Sequence, residues 1–255
     1  MILLAVPVGL LIGLALGALG GGGSILAVPA LVYLLGQSPQ DATTGSLVVV
    51  GIAAAGALVP QARAGRVRWG RGLVFSGLGV VGAVVGSRLS HTVDPDLLLL
   101  AFAGLLVVAA TAMRLRGRVR GAEPEASRSR TECLARTALA ASAVGLLTGF
   151  FGVGGGFVVV PALVMVLGFE LPVAIGTSLL VIALNSGVAL AARSTDHLSV
   201  DWPLVALFAA AAVAGAWAGE RLAGRLPVAR LDAVFRAMLL VLAAGIGASS
   251  LVQLT

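Results

Sequence analysis

The chain reads as an all-α polytopic membrane protein made of two inverted repeats of about five hydrophobic segments, each repeat carrying a glycine-broken helical hairpin. Composition, a doubled motif and the placement of arginine carry that reading. Of 255 residues, 59% are hydrophobic and 11% charged, with a mean hydropathy of +1.07. A soluble core cannot hide so large an apolar share, so the bilayer is the solvent. The segment GLALGALGGGGSILAVPALVYLLG, starting at Gly13, recurs as GLLTGFFGVGGGFVVVPALVMVLG, starting at Gly145, at a constant offset of 132 residues. Thirteen of 24 aligned positions are identical, among them Gly20 with Gly152, Gly22 with Gly154, Gly23 with Gly155 and Pro29 with Pro161. This identity defines a two-fold internal repeat with the same backbone irregularity in each copy.

Ten apolar segments follow in order, five per repeat: 2–19, 25–36, 42–59, 73–87 and 97–113, then 134–151, 157–168, 173–192, 203–218 and 231–251. Most approach the ~20 residues a helix needs to cross the ~30 Å hydrocarbon layer. The segments 25–36 and 157–168 do not, since twelve residues at ~1.5 Å each reach only ~18 Å. They read as half-helices or short arms of a hairpin. The expected organisation is a first transmembrane repeat over 1–114, a connector over 115–133 and a second repeat over 134–255.

The formal charge of +6 rests entirely on arginine, and nearly all 17 basic residues lie between apolar segments. They report orientation rather than a nucleic-acid partner, and none is expected. With the connector placed in the cytoplasm, that side holds Arg63, Arg66, Arg68 and Arg71, the run from Arg114 to Arg136, and Arg221, Arg225, Arg230 and Arg236. The other side keeps only Arg88 and Arg193, a division of 15 to 2. Such a division requires an odd number of crossings per half, which inverts one repeat relative to the other. A full helical pair adds two crossings and a re-entrant hairpin adds none, so either reading of the glycine segments leaves the half odd. Both termini are expected outside. The connector, RLRGRVRGAEPEASRSRTEC, is the one long polar stretch and reads as a solvated topogenic loop, with contact to anionic lipid as the alternative. Cys133 is the sole cysteine, which excludes an internal disulfide and a Cys-x-x-Cys site. The first residues lack the positive flank of a cleaved signal, and 2–19 belongs to the repeat.

Glycine lets a chain leave helical geometry and lets a ligand approach the backbone, and Pro29 and Pro161 fit a first helical turn or a kink. Each copy therefore reads as helix, break, helix start. Backbone amides near Gly22, Gly23 and Ser24, and near Gly154, Gly155 and Gly156, then sit at the positive end of a helix dipole inside the membrane. Lipid cannot satisfy them, so the break is buried in protein or faces a wet cavity, and an anion is its natural partner. The competing reading is close packing of helices through small residues. The following segment of each repeat opens with hydroxyls, ATTGSL and AIGTSL. Thr43, Thr44, Ser46, Thr177 and Ser178 either donate to an oxyanion or bond back to their own helix. Asn185, the only amide well inside an apolar span, is either an interhelical clasp or a substrate contact.

No paired carboxylates, no histidine cluster with ligand spacing and no buried Ser, His and Asp set occur, so neither metal nor catalysis is expected. GGGGS and GVGGG lack the lysine and the βαβ context of a nucleotide loop. No cofactor is expected.

The doubled glycine-proline motif, the ATTGSL and AIGTSL elements, the GxVxW-like stretch from Gly65 to Trp69 with its counterpart from Val200 to Trp202, and the GxxxGxRL element at Gly82 to Leu89 and Gly215 to Leu222 together resemble the TauE/SafE family of sulfite exporters. The resemblance covers nearly the whole chain. It implies a permease in the plasma membrane for sulfite, sulfonates or related organic anions, by uptake or export. One departure stands out: Thr44, Gly45 and Ser46 in the first copy face Gly176, Thr177 and Ser178 in the second. The second copy is nearer the family pattern, so the hydroxyls of the two halves need not share a role. The expected function is secondary transport of a small anion by alternating access, with an anion channel and a non-transporting assembly protein as rivals. Small-residue faces also make a homodimer an expectation.

Overall fold

A computed structural model describes residues 2–31, 36, 39–90, 104, 107–108, 110–111, 130–151, 156–192 and 202–254. The described residues form helices and their turns: α1 (Ile2–Leu19), α2 (Gly22–Pro29), α3 (Pro39–Arg63), α4 (Trp69–Ser90), α5 (Arg130–Phe151), α6 (Gly156–Met165), α7 (Leu171–Ala192), α8 (Trp202–Arg225) and α9 (Val228–Leu254). Helix is the form that satisfies every backbone group without water, which an apolar solvent demands. Thr44–Arg63, Leu171–Ala191 and Trp202–Arg225 are long and apolar enough to cross a bilayer. With eight and ten residues, α2 and α6 span only about 12 and 15 Å and cannot cross a bilayer alone. Most of the segment 97–113 and most of the connector lie outside the described residues.

The 132-residue offset reappears in the helices: α1 matches α5, α2 matches α6, α3 matches α7 and α4 matches α8. Their packing is reciprocal, with the offset growing by one residue, to 133, between α4 and α8. The first helix of each half packs chiefly on the fourth helix of the other, as α1 on α8 and α4 on α5, while α3 lies against α7 and α2 against α6. Two buried clusters result, one holding Ile12, Leu31, Val49 and Phe208, the other Phe75, Val144, Leu163 and Phe169. Each cluster draws on both halves, so neither half has a core of its own. Phe75 and Phe208 occupy equivalent places on α4 and α8, and both are fully buried.

Glycine sets the closeness of the crossed pairs. A Cβ on Gly13 would overlap the Ala212 carbonyl, and one on Gly145 would overlap that of Gly79. Gly215 lies against the Leu10 carbonyl as Gly82 does against that of Ser142. These contacts map onto one another through the repeat, so for these glycines the packing reading holds. On the outside, Leu139 is 72% exposed and Val241 71%. A rim of such residues is costly in water and at home in lipid.

Candidate functional site

The first glycine break begins where α1 ends. Gly20 has φ +79°, a conformation open to glycine at no steric cost, and its amide donates to the Leu16 carbonyl at 2.8 Å. Gly21 caps α2, and Ser24 Oγ donates back to the Gly21 carbonyl at 2.7 Å. Gly22 opens the helix, and Gly23 lies against α1, where a Cβ would overlap the Ile12 carbonyl. Neither proline stands in a first turn: Pro29 ends α2 and Pro161 lies inside α6, as its sixth residue. Gly156 opens α6, whereas Gly154 and Gly155 lie outside the described residues.

The two breaks come together across the repeat. A Cβ on Gly156 would stand 2.7 Å from Ser24 Oγ and 2.9 Å from Ile182 Cδ1. A Cβ on Gly20 would stand 2.6 Å from Ser178 Oγ. Ser24, Gly20, Gly156 and Ser178 thus share one place against the middle of α7. Ser24 and Ser178 are both buried, and Ser178 Oγ donates to the Ile175 carbonyl at 2.8 Å. Both hydroxyl protons are therefore spent on the helix backbone, and turning either toward a ligand forfeits a bond worth about 1 kcal/mol. Thr177 Oγ1 accepts from the Arg68 amide at 3.1 Å, which ties the α3–α4 loop to α7. Thr44 and Ser46 are buried on α3, and Thr43 belongs to its first turns with its side chain outside the described set.

Asn185 does what the sequence left open on one side. Ser76 Oγ of α4 donates to Asn185 Oδ1 at 2.5 Å, an interhelical clasp. With Oδ1 occupied, the amide Nδ2 is turned toward Gly79, 4.0 Å from where a Cβ there would sit. Gly79, Gly145, Gly156, Ile182 and Asn185 line a cavity of about 20 Å³. That exceeds the ~10–15 Å³ one water needs and is too small for a multi-atom anion. The first residue of α6 and Asn185 thus line one small void. At the equivalent positions of the other half stand Ala53 and Ala209, both buried, so the polar pair exists once. Ser76 escaped the sequence reading; a lone hydroxyl in an otherwise apolar span was the available signal. Among the described residues no group of acidic, histidine or cysteine side chains could hold a metal ion.

A chain whose described residues are helices and turns, with an outward apolar rim and membrane-length spans, belongs to the class of integral membrane proteins. Its family is equally plain. The model of the sulfite exporter TauE/SafE family matches residues 5–246, and the chain belongs to that family. It is 36% identical over 236 residues to a "probable membrane transporter protein" of Xylella fastidiosa strain Temecula1, covering 91% of this chain and 90% of the relative. It is 26% identical over 229 residues to the "probable membrane transporter protein YdhB" of Bacillus subtilis, covering 88% and 91%. No solved structure matches the chain at comparable significance. Family and relatives together support a membrane transporter.

Proposed function

We propose that the protein is a secondary transporter of small sulfur-containing or organic anions, of the sulfite or sulfonate type, in the plasma membrane. The observation that carries this reading is the convergence of the two breaks, Gly20 against Ser178 and Gly156 against Ser24. An anion there is met by amides at the starts of α2 and α6, by the Nδ2 of Asn185 and by the hydroxyls once they turn. The partial charges suit a single negative charge, and no basic side chain has to be carried into the bilayer.

The repeats 1–114 and 134–255 are inverted, and the two helix bodies built by their crossed packing rock against one another, exposing the site to each side in turn. The crossed packing supports this, because α1 with α8 and α4 with α5 form two bodies that each mix both halves, with α2 and α6 between them. The 20 Å³ void is then the closed site, which widens when the bodies part. The connector 115–133 is cytoplasmic, and a weak-acid substrate carries its own proton, since no carboxylate is among the described residues lining the void.

The test is counterflow of labelled sulfite in proteoliposomes, with sulfoacetate, taurine, sulfate and acetate as competitors. A carrier gives saturable exchange that rises with unlabelled anion on the far side. Flux that climbs linearly and shows no such stimulation would make the protein a channel.

A further inference from the structure

The end of α3 brings two polar side chains together. Gly65 has φ +69°; its amide donates to the Ala62 carbonyl and that of Arg66 to the Gln61 carbonyl, both at 3.0 Å. This is a Schellman motif, which sets the residue third from the helix end beside the second residue beyond it. Apolar side chains usually meet there, but here the two positions are Gln61 and Arg66. The loop is fastened to α7 by the Arg68 to Thr177 bond and by Gly176, where a Cβ would come 2.6 Å from the Arg66 carbonyl. That closeness gives a physical reason for glycine at 176 where the first copy has Thr44.

Gln61 and Arg66 line a cavity of about 150 Å³ together with Ala18, Ile175, Gly224 and Leu231. This is roughly ten times what one water needs. Gln61 is 3% exposed, and its Oε1 has no hydrogen-bond partner. A buried carbonyl left unpaired destabilises the fold unless something else donates to it. Among the described lining residues Arg66 is the one that is charged, and none is acidic. Ala18 lies two residues before Gly20, and Ile175 bears the carbonyl that takes the Ser178 hydroxyl, so the cavity adjoins the converged breaks.

We propose that this cavity is a second anion site, taking a small oxyanion that carries a hydrogen-bond donor of its own, as a hydroxyalkanesulfonate does. The guanidinium of Arg66 holds the oxyanion through charge-assisted hydrogen bonds. The ligand's O–H donates to Gln61 Oε1. A donor-free anion leaves that carbonyl unpaired and is disfavoured for that reason. Its service as a loading site for the central one rests on the transport reading, whereas the binding itself does not.

The test is calorimetric titration of the full chain in detergent with 2-hydroxyethanesulfonate and with propane-1-sulfonate, which puts a methyl in place of the hydroxyl. The hydroxyl ligand is expected to bind about 5- to 10-fold more tightly. Gln61→Met, of equal length and without an acceptor, should abolish that preference and leave the melting temperature of the unliganded protein unchanged or raised. Arg66→Gln should weaken both ligands by about tenfold or more. Equal binding by the unaltered protein, no binding of either sulfonate, a preference that survives Gln61→Met, or a lowered melting temperature in that variant would each overturn the site. Sulfite counterflow on the same preparations separates the two readings. Exchange without any hydroxyl preference overturns this site alone, and preference without exchange overturns transport alone.

Discussion

Asn185 clasps two helices while lining the void beside Gly156. Ser76 occupies its carbonyl and thereby points its amide nitrogen at the void beside Gly156. In a membrane, hydrogen bonds between helices contribute about 0.6 kcal/mol on average and up to about 1.7 kcal/mol. A double-mutant cycle of Ser76→Ala and Asn185→Ala, read by unfolding in detergent, should give a coupling in that range. Coupling near zero would mean that the pair does not hold in the folded protein. Asn185→Leu should also slow sulfite exchange by more than Ser76→Ala, since only the first removes a donor from the void. Asn185 was legible because an amide in an apolar span has few reasons to be there. Ser76 and Gln61 were not legible. A hydroxyl in a helix can be satisfied by its own backbone, and a glutamine beside four arginines looks like any solvated helix end. Their partners lie 109 residues away for Ser76 and across a capping turn for Gln61, where no sequence period reaches.

The helix glycines divide into two kinds at the level of elements, and sequence alone treats them alike. Gly13 and Gly145 lie against backbone carbonyls of a facing helix, which cannot move aside as a flexible side chain would. Gly77 on α4 meets nothing within 4 Å of a Cβ. Gly13→Ala and Gly145→Ala should each cost about 1–3 kcal/mol through overpacking, by similar amounts because the contacts are equivalent. Gly77→Ala should be neutral or stabilise by up to about 1 kcal/mol through helix propensity. Thermal unfolding of the three variants checks this, and a Gly77→Ala variant as damaged as the other two would refute the distinction. The breaks themselves were readable, because a doubled glycine run before a short apolar segment is hard to place within one helix. That α2 packs on α6 was hidden, since the motif names the irregularity and says nothing of what it meets. The start of α2 at Gly22 instead of residue 25 reflects glycines that continue into the helix, where Gly23 packs on α1.

Across the whole molecule, the composition foretold a helical membrane protein, and the 132-residue offset foretold matched helices. The exchange of fourth helices between halves was not foretold. It depends on glycines of α1 and α5 meeting carbonyls of α8 and α4, a complementarity of surfaces with no signature along the chain. Inversion of the repeats predicts that a cysteine at Gln253, in a protein whose Cys133 is replaced by serine, reacts with an impermeant reagent only from outside. Reaction only from the cytoplasm would reverse the topology.

Alternating exposure of the converged breaks is tested most directly by a single cysteine at Ser24 in the same background, probed with an impermeant thiol reagent in right-side-out and inside-out vesicles. Labelling from both sides, slowed from both by methanesulfonate, is the predicted result. Labelling from one side only, or from neither, would contradict it.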